Sequence, residues 1–237
     1  DGERAPVTGS VLGRLVAEAA GTALLVGIGT GSIVLSARVG GLPLLVLTGA
    51  WFLAVLIPIL LFVRRSGAHL NPVVTLALAV SGRIGWREVP PYFLGQFAGA
   101  FLGSAVVLVT LGNGAHLGAT VPSQGNILRA FPSELAFTAA LVTAVFLLSD
   151  RGEGRGRWRI LLPPTVVAFA TYLIGPWTGS SLNPARTLAP AILSATYTDL
   201  WVYLTAVPLG ALLVAALWRP RSVDRLDRGP GRTEIST

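Results

Sequence analysis

Two asparagines, Asn71 and Asn183, stand 112 positions apart in a chain of 237 residues, and each is followed directly by proline. Their surroundings match. One stretch reads Ser66-Gly67-Ala68-His69-Leu70-Asn71-Pro72-Val73-Val74-Thr75, the other Thr178-Gly179-Ser180-Ser181-Leu182-Asn183-Pro184-Ala185-Arg186-Thr187. Asparagine at an N-cap with proline at the first helical position starts a helix. The chemistry this pair offers is hydrogen bonding, because a capping asparagine can still present side-chain N–H donors to a passing oxygen. No nucleophile–base pair and no cluster of metal ligands accompanies the asparagines. His69 and His116 are separated by loop and apolar sequence, and there is no cysteine. The expectation is a protein that is not an enzyme and holds neither metal nor cofactor.

Two carboxylates belong to the same repeat. Ala17-Glu18-Ala19-Ala20-Gly21-Thr22 opens the first half and Ser133-Glu134-Leu135-Ala136-Phe137-Thr138 the second. A carboxylate inside an apolar segment is costly and marks function or a polar partner. Two readings stay open. Glu18 and Glu134 either support the loops by accepting backbone N–H groups, or they carry protons.

The elements that must position these residues cross a bilayer. Just over half of the residues are hydrophobic and 12% are charged, against roughly 25% charged in a soluble domain. Six stretches approach the ~20 residues a bilayer core requires: 11–36, 42–63, 89–111, 130–149, 160–177 and 197–218. Two segments, 71–81 and 183–194, are too short to cross and are expected as re-entrant half-helices. The expected fold is an all-α membrane protein of six transmembrane helices plus two half-helices in an inverted repeat. Its parts are an N-terminal tail (1–10), a first repeat (11–111), an outer loop (112–129), a second repeat (130–218) and a basic tail (219–237).

Arginine sets the orientation. All 18 cations are arginine, and fifteen of them fall on one side if the spans alternate. Only Arg38 and Arg129 fall on the other side, with Arg186 in the second half-helix. That bias places both termini in the cytoplasm. The tail arginines serve topology or touch anionic lipid. The basic charge forms no arginine stripe with aromatics, so nucleic acid is not an expected partner. Gly- and Ala-rich usage without lysine hints at a high-GC genome. Asp1, Glu3 and Arg4 precede the first span with no cleavage pattern, so no signal peptide is expected.

The words at 17–22, 66–72, 95–100 (Gly-Gln-Phe-Ala-Gly-Ala) and 182–187, in this order, resemble those of the major intrinsic protein family, the aquaporins and aquaglyceroporins, in a bacterial-type member. The resemblance covers about 11–218. It implies a right-handed helical bundle, a homotetramer with one pore per subunit, and a plasma-membrane channel for water and small neutral solutes. The physics supports such a pore independently. Two half-helices that meet N-terminus to N-terminus each bring roughly half a positive charge. Carbonyls at Gly67, Ala68, His69, Gly179, Ser180 and Ser181 can line the path, since irregular backbone at that depth must face a cavity.

The resemblance also implies an aromatic/arginine filter made of Trp51, Thr171, Ser180 and Arg186. Trp51 has a second reading, as an interfacial belt residue. Water-type members carry Phe and His where this chain has Trp51 and Thr171. Polyol channels and the nodulin-like plant channels use tryptophan there. Thr187 is nearer the water-type serine than the polyol-type aspartate, and Leu204 and Thr205 match neither pair. Val73 replaces the usual alanine of the first box. Arg64 and Arg65 stand at the inner mouth, where water-type members often carry histidine. Three readings follow: a channel for water and glycerol-like polyols or undissociated metalloid acids; a strict water channel; or, in another class, a secondary transporter or anion channel built on an inverted repeat.

In the family, mercurials often block the pore at a cysteine three residues before the second Asn-Pro. Ser180 holds that place here. Water permeability of the wild type is therefore expected to ignore mercurials, and Ser180→Cys to introduce a block reversed by thiol. A folded Ser180→Cys channel that stays insensitive would place Ser180 away from the pore.

Overall fold

A computed structural model describes residues 9–149 and 157–218. Arg4, Arg151, Arg155, the tail arginines, the tail 219–237 and most of 1–10 lie outside the described residues, as does the Arg157 side chain. The regular structure of the described residues is all helical: α1 (Val11–Arg38), α2 (Leu44–Ser66), α3 (Pro72–Val80), α4 (Val89–Leu111), α5 (Ile127–Ser149), α6 (Leu162–Leu173), α7 (Gly175–Thr178), α8 (Pro184–Leu193) and α9 (Leu200–Leu217). Among the described residues, five helices are long and apolar enough to cross a membrane, and the shorter Trp158–Leu173 stretch adds a further apolar segment.

That shorter stretch differs from the single 160–177 helix expected. A turn over Arg157–Leu161 leads into α6, and the helix breaks at Ile174 before α7. Pro176 explains the break. It has no N–H for the Tyr172 carbonyl, and its ring crowds that carbonyl. The path then continues through α7, whose Thr178 N–H bonds Ile174 O at 2.9 Å.

The two halves pack by the same rule. Each long first helix meets the last helix of its half, α1 against α4 and α5 against α9. Lipid tails are as apolar as leucine, so close backbone approach must hold such pairs. Glycine permits it. Gly95, Gly99 and Gly103 on one face of α4 lie against the α1 backbone, and a Cβ at Gly99 would collide with the Ala19 backbone. Gly210 of α9 meets the Leu135 backbone of α5 in the same way.

The half-helices α3 and α8 sit between these pairs. Val73, Val74, Ala77 and Leu78 of α3 pack with Val142, Phe146, Val207 and Ala211 of the second half. Ala185 and Ala189 of α8 pack with Leu25, Trp51 and Ala100 of the first. Each half-helix is thus buried in the opposite repeat. The 112–129 connection carries short turns at Gly114–Gly118 and Ser123–Gly125, and its Leu117 and Thr120 are buried.

Gly99→Val is expected to break the α1–α4 contact, because the clash is with backbone and no side chain can yield. Overpacking of this kind costs roughly 1–3 kcal/mol or more. The thermal midpoint of the purified protein, followed by helical circular dichroism, should fall. An unchanged midpoint would show that this contact does not limit stability.

Candidate functional site: the junction of the two half-helices

The loops entering α3 and α8 have the same backbone. Gly67 and Gly179 close the preceding helices at φ 85° and 78°. Ala68 and Ser180 follow at φ 50° and 48°, and Leu70 and Leu182 at 57° and 54°. Non-glycine residues in the left-handed region cost about 1–3 kcal/mol each and persist only where surroundings over-determine them. Here the surroundings are the two buried carboxyls.

Glu18 Oε1 accepts from Ser66 Oγ (2.6 Å) and from the His69 N–H (2.9 Å). Its Oε2 accepts from the Leu70 N–H (2.7 Å) and Gln96 Nε2 (2.8 Å). Glu134 takes the N–H groups of Ser181 (2.9 Å) and Leu182 (3.0 Å). Two tyrosines complete the brace. Tyr92 of α4 donates to Ser66 O (2.5 Å) and Tyr203 of α9 to Thr178 O (2.6 Å). His69 stacks on Tyr92 with ring centroids 4.5 Å apart, and its Nδ1 lies 3.1 Å from Thr75 Oγ1. The corresponding Ser181 Oγ pairs with Thr187 Oγ1.

The loops deliver two asparagines nose to nose. Asn71 caps α3, with Oδ1 accepting from the Val73 N–H at 3.1 Å. Asn183 caps α8 through Ala185 (2.9 Å) and Arg186 (3.3 Å). Each amide also crosses to the other half. Asn71 Nδ2 donates to Leu182 O (2.8 Å) and Asn183 Nδ2 to Leu70 O (2.9 Å). One N–H of each amide is thus engaged, and a second remains on each.

A narrow cavity of about 70 Å³ runs to this junction. Asn71 and Asn183 line it, as do Gly67, Ala68, His69 and Ser181. Its walls are otherwise mostly apolar and include Leu25, Ile59, Val74, Pro163 and Val167. Pro72, Val73, Pro184 and Ala185 are buried behind it.

Trp51 and Arg186 meet along the same cavity, with the guanidinium carbon 4.7 Å from the indole centroid. Gly29 makes room for the indole, since a Cβ there would lie 2.6 Å from its carbons. Arg186 is 1% exposed. Its Nη1 donates to Gly118 O (2.8 Å) and Nη2 to Gly179 O (3.1 Å), while Nε has no protein partner. Carbonyls rather than a carboxylate therefore hold the guanidinium by hydrogen bonds. Thr171 and Ser180 are buried but do not line this cavity. Thr171 Oγ1 donates to Val167 O (2.9 Å), and Ser180 Oγ has no partner.

Several supporting residues escape sequence reasoning. Gly118 and Thr120 come from the connecting loop, and Thr120 Oγ1 lies 3.2 Å from Thr187 Oγ1. No sequence signal marks that loop. Tyr92 and Tyr203 did leave one: their spacing of 111 nearly repeats that of the asparagines.

An inverted helical repeat with two half-helices facing across a cavity defines a membrane channel rather than a catalyst. Residues 7–218 match the family described as "Major intrinsic protein". Aquaporin NIP1-3 of Oryza sativa subsp. japonica is 35% identical over 209 residues, covering 86% of this chain and 71% of that protein. Aquaporin NIP6-1 of Arabidopsis thaliana is 34% identical over 242 residues, covering 97% and 78%. The X-ray structure of the aquaglyceroporin from Plasmodium falciparum aligns with a TM-score of 0.77 at 26% identity, covering 92% of this chain and 99% of that one. The chain belongs to the major intrinsic protein family, a membrane channel for water and small solutes and not an enzyme.

Glu134→Leu removes the acceptor for two buried N–H groups, each costing about 1–3 kcal/mol if left unpaired. It is expected to lower the thermal midpoint and abolish water flux in vesicles. Glu134→Gln keeps one carbonyl acceptor and should lose less of both. Equal behaviour of the two variants would show that the carboxyl does not hold the loop.

Proposed function

We propose that this channel conducts water together with small uncharged solutes of the glycerol class, undissociated metalloid acids included, and excludes ions and protons. The observation that carries the reading is the pairing of Trp51 with Arg186. A guanidinium has five N–H groups and two are committed to carbonyls here. Donors remain for a solute oxygen, while the indole gives an apolar wall beside them. A linear polyol has hydroxyls along one edge and carbon along the other, and so suits both. Thr171 is buried off this cavity; where water-type members place a histidine, it brings less bulk and no ring donor to the opening.

Charge exclusion rests on the junction. The N-termini of α3 and α8 and the Arg186 guanidinium all present positive potential, and Glu18 and Glu134 do not line the cavity. In this reading Trp51, Thr171, Ser180 and Arg186 form the filter, Asn71 and Asn183 the midpoint, and Glu18 and Glu134 the loop supports. The repeats 11–111 and 130–218 insert with opposite orientation. Both termini face the cytoplasm of a plasma membrane, as the arginine distribution supports, and the working form is a homotetramer.

The test uses one vesicle preparation, with shrinkage in an impermeant osmolyte and re-swelling in glycerol. Wild-type vesicles are expected to do both quickly. Trp51→Phe with Thr171→His should lower glycerol flux relative to water roughly tenfold, about 1.4 kcal/mol of barrier. The double change should exceed the sum of the single ones, because both residues share one opening. Wild-type vesicles that shrink but never re-swell would instead mark a strict water channel.

A further inference from the structure

We propose that the cavity has a second selecting ring on its inner side, formed by Ile59, Ala68, Val74 and Pro163, which ranks uncharged solutes by their need for hydrogen-bond donors. This rests on the neutral-solute reading above.

The chain's own repeat locates the ring. An offset of 112 relates Gly67 to Gly179, Asn71 to Asn183 and Thr75 to Thr187. The backbone obeys it, with Asn71 at φ −156° and ψ 122° and Asn183 at φ −153° and ψ 113°. Carried back along α2 and α6 without a gap, the same offset gives each outer residue an inner counterpart. Trp51 maps to Pro163, Thr171 to Ile59, Ser180 to Ala68 and Arg186 to Val74. All four counterparts line the cavity. None carries a side-chain polar atom.

The two rings therefore offer opposite chemistry around one midpoint. The outer quartet includes a guanidinium on the cavity wall and two hydroxyls on buried residues that do not line it. The inner quartet offers only C–H groups, and the residues beside it bring acceptors: the backbone carbonyls of Gly67, Ala68 and His69, and the His69 imidazole, whose Nδ1–H faces Thr75 Oγ1 while Thr75 donates to Asn71 O, which leaves Nε2 an acceptor. Carbonyls accept and cannot donate. The His69 and Leu70 N–H groups cannot help either, because Glu18 holds both. A diol can turn each hydroxyl toward a carbonyl and rest its carbon edge on the ring. Urea finds no wall donor for its carbonyl oxygen there, and a buried acceptor short of donors is penalised. Water keeps the neighbour ahead and behind as donors. The ring should pass water and diols and hold back compact carbonyl solutes.

Permeabilities to water, propane-1,2-diol and urea would be measured on the same proteoliposomes. Ile59→Thr and Ala68→Ser import the outer residues into the inner ring. Ser at 68 is already accommodated in the same backbone at Ser180, so Ala68→Ser alone serves if the double variant fails to fold. Retained water flux shows that each variant is folded. The urea-to-propanediol ratio is expected to rise roughly fivefold in the double variant, about the barrier change of one hydrogen bond. Val74→Ala widens the ring without adding polarity, and should leave the ratio unchanged. A ratio unmoved by the hydroxyls, or moved equally by Val74→Ala, overturns the inference while leaving the channel reading intact. Wild-type vesicles that pass water but no propanediol refute the underlying reading, and this inference with it.

Discussion

Asn71 and Asn183 each give one amide N–H to the backbone of the opposite half, at 2.8 and 2.9 Å. These crossed bonds join the two repeats where their half-helices meet end to end. They fix the distance between two helix N-termini that would otherwise repel, since both ends carry partial positive charge. They also consume the Leu70 and Leu182 carbonyls, the last acceptors before each half-helix. The left-handed turns, the carboxyls behind them and the tyrosine braces all position those two carbonyls. Loss of either crossing bond would leave a buried donor and a buried acceptor unpaired in one step.

The supports are built twice, but the lumen is not. Glu18 and Glu134, Tyr92 and Tyr203, Thr75 and Thr187 repeat their roles within fractions of an ångström in bond length. Gln96 has no such partner: Val207 takes the corresponding place on α9. Glu18 therefore gains a side-chain donor that Glu134 lacks. Arg186 stands alone in the same sense, opposite Val74. A duplicated scaffold with unequal side chains explains how one packing solution gives a path whose two ends differ.

How much of this the sequence shows depends on whether the signal is a word or a contact. The half-helices at Asn71 and Asn183 are legible because Asn-Pro is a local start signal and the two copies stand in register. The carboxyls are legible because a charge within an apolar segment is conspicuous. The break in the fifth crossing, at Gly175-Pro176, is not legible, because hydropathy averages over a kink. The crossed amide bonds, the Gly118 carbonyl under Arg186 and the room that Gly29 gives Trp51 are long-range contacts between elements. No local pattern encodes them. Ser180 and Thr171 illustrate the limit most plainly: the family resemblance implies an opening for them, whereas the structure leaves one hydroxyl without a partner and bonds the other back to its own helix.

The central claim is that two facing half-helix N-termini let neutral oxygen pass and turn charge away. The most direct test is a paired measurement on wild-type proteoliposomes, osmotic water permeability alongside proton and cation flux under an imposed gradient. The account predicts water flux well above that of empty vesicles, with proton and cation flux no greater than theirs. Ion or proton conduction that rises with the amount of protein, at rates comparable to water, would contradict it.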